Sequence, residues 1–248
     1  MIITSLDNGK LVACRKLADK KYRRKEGRYL VEGERLVADA IRHGAKVTNI
    51  FVKESVADKF ATSYPDADVV ADRAFDTLCD TVTTQGIVAV VEQAELPLAA
   101  PCGNSLVLDG LQDPGNVGTL IRTAAACGFT DVYAVGSVDL YSPKVLRSAM
   151  SAHFCVKLHQ SDDIEAVFGV LDGVMKVCAD MGGKNVFDVK FDGKVALIVG
   201  NEGNGISDFT RRNADITVAL PMVNDFESLN ASVAGSVVMY QIFAGKGN

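Results

Sequence analysis

Three stretches of the chain place polar residues directly behind apolar, strand-like runs. They read DPGNVGTLIRTAAACGF (113–129), LIVGNEGNGIS (197–207), and LPM with SLNASVA (220–222 and 228–234). Turns at the carboxyl ends of parallel strands present backbone N–H groups and side chains to a small ligand. We therefore predict that the three stretches contribute to a ligand site in an α/β protein.

The glycine turn of the second stretch is not typical of a phosphate site. The P-loop pattern G-x-x-x-x-G-K-[ST] is absent, and no lysine follows the turn. Gly200, Gly203 and Gly205 stand in the reverse of the order G-x-G-x-x-G, and the turn follows a late strand. Both features argue against a Rossmann dinucleotide enzyme. The turn favours a ligand that is less charged than a nucleotide phosphate.

The first and third stretches carry the side chains with the most chemistry. Arg122 interrupts the apolar stripe of a helix predicted over 117–127, and its guanidinium has five donors suited to phosphate oxygens. Asn116 is predicted to cap that helix, and Ser228 to cap the last helix of the chain. Asn230 would then lie in a first helical turn, where asparagine is a poor helix former. A surface arginine with ordinary polar caps is the alternative interpretation.

The composition is that of an ordinary globular protein of 248 residues, with 48% hydrophobic and 23% charged residues. The N-terminus lacks a basic segment followed by an apolar one, and no apolar stretch reaches the roughly 18 residues of a membrane span. We expect a cytoplasmic protein. Six widely spaced cysteines, without a C-x-x-C pair or a histidine cluster, predict no metal site.

The net charge of −5 hides a basic segment between Lys10 and Arg35. Ten Lys and Arg against four acidic residues give this segment +6, which leaves −11 for the rest of the chain. Such a cluster is expected of an edge that contacts a polyanion, although a solvated helix face has the same composition. The residues predicted to contact the polyanion are Arg15, Lys20, Lys21, Arg23, Arg24 and Arg28.

Two domains, 1–95 and 104–248, are predicted around a linker at 96–103 that is rich in proline and glycine. The first is a small α/β unit with a helix over 30–44 and strands over 47–52, 67–71 and 86–91. In the second, alternating strands and helices predict a parallel sheet covered by helices on both faces. Its predicted strands are 105–111, 131–135, 175–179, 195–199 and 216–220, and its predicted helices are 117–127, 143–149, 164–171, 206–213 and 229–243.

Taken together and in this order, the three stretches resemble the motifs of the SpoU (TrmH-type) RNA ribose 2′-O-methyltransferases of the SPOUT superfamily. The segment YSPKVLRSAMSAHF (141–154) is similar to the family's intervening segment, so the resemblance spans residues 103–245. Residues 10–95, with KKYRRKEGRYLVEGERLV (20–37), resemble the substrate-binding domain of many members, a small α/β module related to a ribosomal protein.

The resemblance implies a deep trefoil knot at the C-terminal side of the parallel sheet, a homodimer, and S-adenosylmethionine bound in the knotted loops. It also implies methyl transfer to a ribose 2′-OH in structured RNA, with rRNA favoured over tRNA and no metal. Two sets of residues are carried over from it. The cofactor-binding set is Gly200, Leu220, Met222 and Leu229, and the catalytic set is Asn116, Arg122, Glu202, Ser228 and Asn230.

Some alternatives stay open at this point. Arg122 is either the base that deprotonates the 2′-OH or a clamp on the adjacent phosphate, and the permanent charge of a guanidinium favours the clamp. A catalytically inactive RNA-binding module of the same fold is the rival function. The chain departs from the family pattern at 223–227, where a glycine turn is common, and at Ser151, where a glycine is common.

Overall fold

The computed structural model describes residues 2–94, 96–224 and 228–245. Their contacts divide the chain into two compact units. The first contains the residues up to 95 together with Tyr141–Leu146, and the second contains the remainder. Among the described residues, no helix combines the length and the apolar character needed to cross a bilayer.

The first unit is a mixed four-stranded sheet with short helices. The strand order is β1-β4-β2-β3, with β4 antiparallel to β1 and β2, and β3 parallel to β2. Leu11, Phe51, Phe75 and Val88 are buried together in its core. In chain order the elements are α1 Gly9–Lys16, α2 Lys20–Glu26, β1 Arg28–Glu32, α3 Glu34–Arg42, β2 Val47–Lys53, α4 Ala57–Phe60, β3 Asp68–Val70, α5 Asp72–Phe75 and β4 Ile87–Glu92.

The helix predicted over 30–44 is wrong in its first turn, which is the end of strand β1. Tyr29 and Val31 alternate into the core, and β4 pairs along the whole strand. Gly33 then turns the chain with φ 103°, a backbone conformation that favours glycine, so the helix begins only at Glu34. Val31 fits both the alternation of a strand and the spacing of the helix that follows. For this reason the sequence did not separate the end of β1 from the start of α3.

The second unit is a six-stranded sheet in which every neighbouring pair is parallel. The strand order is β10-β8-β9-β5-β6-β7. In chain order the elements are β5 Ser105–Asp109, α6 Pro114–Ala126, β6 Asp131–Val135, α7 Pro143–Ala149, β7 Lys157–Ser161, α8 Ile164–Val170, β8 Met175–Asn185, β9 Val195–Gly200, α9 Asp208–Asn213, β10 Ile216–Ala219 and α10 Ala231–Ala244. The predicted α/β class and parallel sheet are confirmed, while the trefoil knot stays a prediction.

Helices cover both faces of this sheet. On one face, Val107 and Ile198 pack with Phe168 of α8. On the other, Leu120 of α6 and Val199 of β9 lie against α10. Strands β5, β6 and β9 are buried along their whole length, which explains their continuous apolar sequences.

Edge strand β7 was not predicted, because KLHQS lacks an apolar run. The position of this strand is fixed by its pairing with β6 and by the contacts of the His159 side chain. The buried His159 side chain lies 3.0 Å from Asp131 and stacks on Tyr133. Tertiary contacts of this kind leave no periodic signal in the sequence.

Candidate functional site

A cavity of about 780 Å³ lies beside the ends of β9 and β10 and the middle of β8, a size typical of a site for a small ligand. Its wall includes all four residues predicted to bind the cofactor, together with Glu202, Ser228 and Asn230. Among the described lining residues the charged side chains are two carboxylates, Asp180 and Glu202, and neither Lys nor Arg is present. The cavity therefore favours a neutral or cationic ligand over a phosphate.

The glycine turn of 200–205 is a wall of this cavity. Asn201 and Gly205 exchange backbone hydrogen bonds of 2.9 and 2.8 Å, and the Asn201 Oδ1 accepts from the N–H groups of Gly203 and Asn204. These N–H groups are bound within the turn and are not offered to a ligand. Gly200 is a glycine for reasons of space, since a Cβ there would overlap the backbone of Gly205.

Free backbone groups lie on the opposite side, around the end of β10. Among the residues described, Leu220, Met222 and Leu229 form no hydrogen bond through their backbone N–H or C=O groups. All three line the cavity. Unpaired peptide groups beside a cavity are available to a ligand that has its own donors and acceptors.

Three of the predicted catalytic residues form one directed chain of hydrogen bonds. The Asn230 Nδ2 donates to the Asn116 Oδ1 at 2.9 Å, and the Asn116 Nδ2 donates to the Glu202 Oε1 at 3.1 Å. The direction follows from Asn230, whose Oδ1 already accepts from the backbone N–H groups of Ser232 and Val233. These hydrogen bonds join residues from three separate stretches, and two of the three, Glu202 and Asn230, line the cavity.

Glu202 is the fixed end of that chain. It also accepts hydrogen bonds of 3.1 Å from the backbone N–H groups of Gln112 and Asp113, which tie the turn after β5 to the turn after β9. Burial raises the pKa of Glu202, but the hydrogen bonds from Asn116, Gln112 and Asp113 lower it, and the net direction is down. Glu202 is therefore an ionised anchor at neutral pH.

Two predicted helix caps are wrong, and the correction accounts for the polar residues. Helix α6 is capped by Asp113, whose Oδ1 accepts from the N–H of Asn116, so Asn116 lies inside the helix with its side chain free to join Glu202. Helix α10 is capped by Asn230 and not by Ser228. Asn230 is thus not a misplaced helix former, and Ser228 is an exposed residue of the cavity wall.

Arg122 is not among the residues that line the cavity. It lies on α6 six positions after Asn116, about 9 Å further along the helix axis. The side chain is exposed and forms no hydrogen bond or ion pair with a described residue. The neighbouring Thr123 contacts Ser236 at 2.9 Å between their hydroxyl oxygens, so Arg122 lies close to where α6 meets α10.

The structure describes one of the two departures from the family pattern, Ser151, in full, and the other, 223–227, only in part. Ser151 does not have a positive φ, so its backbone does not require glycine. Met150, directly before it, has φ 54°. Positions 225–227 of the second departure lie outside the described residues, and Asn224 before them has φ 60°.

The six basic residues predicted to contact RNA divide into three groups. Arg23 is buried and donates to the carbonyl groups of Leu17 and Ala18, so its guanidinium holds the chain between α1 and α2. Arg15 is half-buried and bonds to Leu6 and Thr77, and Arg28 lies 3.7 Å from Glu92. The other three, Lys20, Lys21 and Arg24, are exposed and have no charged partner among the described residues.

Sequence reasoning missed several residues of the site. Asp180 lines the cavity within β8, a strand that was predicted to end at 179. The backbone of Gln112 and the side chain of Asn201 hold the two turns in place. No pattern in the sequence marks them, because each acts through a contact with a distant segment. Among the described residues, no group of three or more His, Cys, Asp or Glu could hold a metal ion, and the absence of a metal stays a prediction.

Known proteins match both parts of the chain. The model of the SpoU rRNA Methylase family matches residues 103–240, and that of the MRM3-like substrate binding domain matches residues 8–89. RlmP of Bacillus subtilis, a 23S rRNA (guanosine(2553)-2′-O)-methyltransferase, is 33% identical over 97% of this chain and 98% of its own.

Two further proteins are similar over most of their length. A 23S rRNA (uridine(2479)-2′-O)-methyltransferase of Streptomyces viridochromogenes is 28% identical over 91% of this chain and 85% of its own. The crystal structure of an AdoMet-bound rRNA methyltransferase from Sinorhizobium meliloti superposes with a TM-score of 0.86 at 25% identity, covering 98% of this chain and 97% of that one. The resemblance found in the sequence is confirmed, and the chain belongs to the SpoU rRNA methylase family.

Proposed function

We propose that this protein transfers the methyl group of S-adenosylmethionine to a ribose 2′-OH in ribosomal RNA. The observation that carries the proposal is the chain from Asn230 through Asn116 to Glu202 at the mouth of a cavity without a cationic side chain among its described lining residues. The names of the B. subtilis, S. viridochromogenes and S. meliloti proteins support both the reaction and the RNA class.

The cavity fits S-adenosylmethionine better than NAD or ATP. The cofactor brings a sulfonium and no phosphate, which suits a wall that contains the ionised Glu202 and, among its described residues, no Lys or Arg. Leu220, Met222 and Leu229 would hold it through free backbone groups, and Gly200 keeps the wall closed behind it. The bound cofactor supplies an electrophilic methyl group. Calorimetric titration with all three compounds tests this, and heat from NAD but not from S-adenosylmethionine would overturn it.

The protein's own residues would orient the substrate ribose and supply charge near the reacting oxygen. Glu202 already accepts three hydrogen bonds, so it is an anchor and not a free base. Asn116 and Asn230 are held in one orientation and would position the ribose at the mouth of the cavity. Arg122 would clamp the neighbouring phosphate and stabilise the developing alkoxide, since a guanidinium stays protonated in water. Ser228 would complete the polar rim.

We propose a homodimer through the second unit. Helix α10 exposes Val233 and Tyr240, which lie two turns apart on one side, and α6 presents Arg122 near the same helix. Burying these side chains against a second copy would remove apolar surface from water. Light scattering at micromolar concentration tests this. A monomer of 26.4 kDa with full activity would contradict it.

RNA would be engaged mainly by the exposed cations of the first unit, because the chain outside residues 10–35 has a net charge of −11. The B. subtilis relative acts on a guanosine and the S. viridochromogenes relative on a uridine, which supports a shared site that reads the ribose and not the base. An rRNA substrate also supports a cytoplasmic location.

Labelled S-adenosylmethionine with 23S, 16S and transfer RNA as substrates, followed by mapping of 2′-O-methyl positions, tests the proposed reaction. We expect one modified nucleotide in rRNA. RNA binding without any methylation would instead favour the rival function, an inactive RNA-binding module. The intact chain of ordered polar residues from Asn230 to Glu202 argues against that rival, because a binding module has no need of it.

A further inference from the structure

Strand β8 leaves the sheet beside the cavity. Cys178 pairs with Thr217 of β10, but the next residue of β10, Val218, pairs with Lys184. Residues 179–183 therefore form a bulge with respect to β10, although Ala179 still pairs with Val199 of β9. Gly183 returns the bulge to the sheet, since a Cβ there would lie 2.6 Å from the backbone of Val218. Three residues of this bulge besides Ala179 contribute to the cavity wall, namely Asp180, Met181 and Gly182.

Asp180 is a carboxylate of the cavity whose hydrogen-bonding capacity is not used up. Its Oδ2 forms an ion pair with Arg211 of α9, and its Oδ1 accepts from the N–H of Met181 at 2.9 Å. A carboxylate has about four lone-pair sites, so each oxygen of Asp180 retains one. The side chain is 15% exposed and lies over the glycine turn, 4.0 Å from where a Cβ on Gly205 would be.

The chemistry of this carboxylate selects a particular donor. Arg211 already balances its charge, so a second cation such as an ammonium gains little there. Two adjacent hydroxyl groups match one free site on each oxygen, because a vicinal diol donates two hydrogen bonds in the plane of a carboxylate. Glu202, the other carboxylate of the described lining, already accepts three hydrogen bonds, so it retains about one of four sites and cannot take both hydroxyl groups of a diol.

We propose that Asp180 accepts hydrogen bonds from the 2′- and 3′-hydroxyl groups of the cofactor's own ribose, and so makes the site selective for a ribonucleoside. The inference rests on the proposed cofactor site. Arg211 is a positioning residue in it, because it fixes the rotamer of Asp180 from α9. The bulge at 179–183 carries Asp180 into the cavity wall.

The test is calorimetric binding to the full chain in the absence of RNA, with S-adenosylhomocysteine, its 2′-deoxy analogue and 5′-methylthioadenosine as probes. We expect the native protein to prefer S-adenosylhomocysteine over its 2′-deoxy analogue by about 10- to 100-fold, the range for a hydrogen bond to a charged group. Asp180→Asn should reduce that preference to a few-fold. The same variant should bind 5′-methylthioadenosine, which lacks the amino acid, more weakly than the native protein does. The factor of weakening should be similar to that for S-adenosylhomocysteine.

Asp208→Asn is the matched control, because it removes the same charge from an exposed position on the helix that carries Arg211. It should leave all three affinities unchanged. Equal binding of the ribose and deoxyribose forms by the native protein would overturn the role of Asp180, and this arm needs no variant. If Asp180→Asn weakened S-adenosylhomocysteine but not 5′-methylthioadenosine, Asp180 would hold the ammonium group and the inference would be wrong. Failure of every probe to bind would overturn the proposed cofactor site itself.

Discussion

At the scale of the residue, the candidate site contains side chains that are fixed by hydrogen bonds and one side chain that is not. Asn116, Asn230 and Glu202 hold one another in a single orientation, while Arg122 is exposed and unpaired among the described residues. A charged group without a structural partner is free to act on a substrate, and its loss leaves no buried group unsatisfied. The two kinds of residue should therefore respond differently to substitution.

Arg122→Ala should abolish methyl transfer while leaving the melting temperature and the affinity for S-adenosylhomocysteine nearly unchanged. An exposed substitution of this kind changes stability by about 0.5 kcal/mol or less. Arg122→Lys should also be severely impaired, because lysine keeps the charge but loses the planar fork that a phosphate clamp uses. Activity of the lysine variant that rises with pH through its own titration would favour a general base. Full activity of the alanine variant would exclude Arg122 from the mechanism.

Glu202→Gln should lower both stability and methyl transfer, because the glutamine amide replaces one acceptor oxygen with an NH2 group, which then faces at least one N–H that Glu202 accepts. Surface exposure of Glu202 limits the loss of stability to about 1 kcal/mol. The native pKa lies below the ordinary value of 4.5, so this contribution is present above pH 4.5 and is lost as the pH falls through the lowered pKa.

Melting temperatures of the native protein, Glu202→Gln and the exposed control Glu165→Gln between pH 3.5 and 7 measure this effect. The difference between the native protein and Glu202→Gln should shrink at the acid end. A difference that stays constant across the range would show that the ionised form of Glu202 does not stabilise the fold.

At the scale of the element, α10 is held close to the sheet by a residue without a side chain. A Cβ on Gly235 would lie 2.6 Å from the Leu120 Cδ2 and 3.0 Å from the Val199 Cγ2. Because Ala234 and Val238 of the same helix line the cavity, the packing of α10 and the shape of the site are coupled. Because Asn230 caps this helix, the packing is also linked to the hydrogen bonds that join Asn230, Asn116 and Glu202.

Gly235→Ala should destabilise the protein by about 1–3 kcal/mol, the usual cost of overpacking a core. It should also lower the affinity for S-adenosylhomocysteine. Gly169→Ala is the matched control, since Gly169 lies within helix α8 and a Cβ there would meet no described side chain within 4 Å. That change should be neutral or stabilise by about 0.5–1 kcal/mol. Thermal unfolding and calorimetry compare the two variants, and equal stability would show that Leu120 adjusts without cost.

At the scale of the whole molecule, the charge is divided between a basic N-terminal segment and an acidic remainder. Replacing Lys20, Lys21 and Arg24 with glutamine should weaken RNA binding. It should also lower the slope of log affinity against log salt by about 2–3, at roughly 0.7–0.9 per phosphate contact. Filter binding at several salt concentrations measures the slope. An unchanged slope would identify the cluster as a solvated face.

Cations of the same unit that are paired with acids provide the control for that experiment. Arg42, Lys46 and Lys59 form ion pairs with Asp39, Glu92 and Glu34, and their replacement with glutamine should change the slope less. Arg23→Gln should instead destabilise the first unit, because its guanidinium bonds to two backbone carbonyl groups.

The sequence by itself determined the class of the fold, the parallel sheet and the family. Strands β5, β6 and β9 are buried on both faces, so each reads as an apolar run, and the turns behind them keep their polar residues adjacent in the chain. Periodicity and adjacency are local properties, and local properties can be read from one sequence. The same is true of the excess of positive charge at 10–35.

Only the tertiary structure decided which polar residue caps a helix, which is an anchor and which is exposed. Asn116 and Asn230 are 114 positions apart, and Glu202 is 86 positions from Asn116, so no local pattern predicts their hydrogen bonds. Arg23 looks like its basic neighbours until its burial is known. Asp180 became part of the site only through a bulge whose two ends are fixed by β10. Contacts between distant segments set the environment of a side chain, and that environment decides its role.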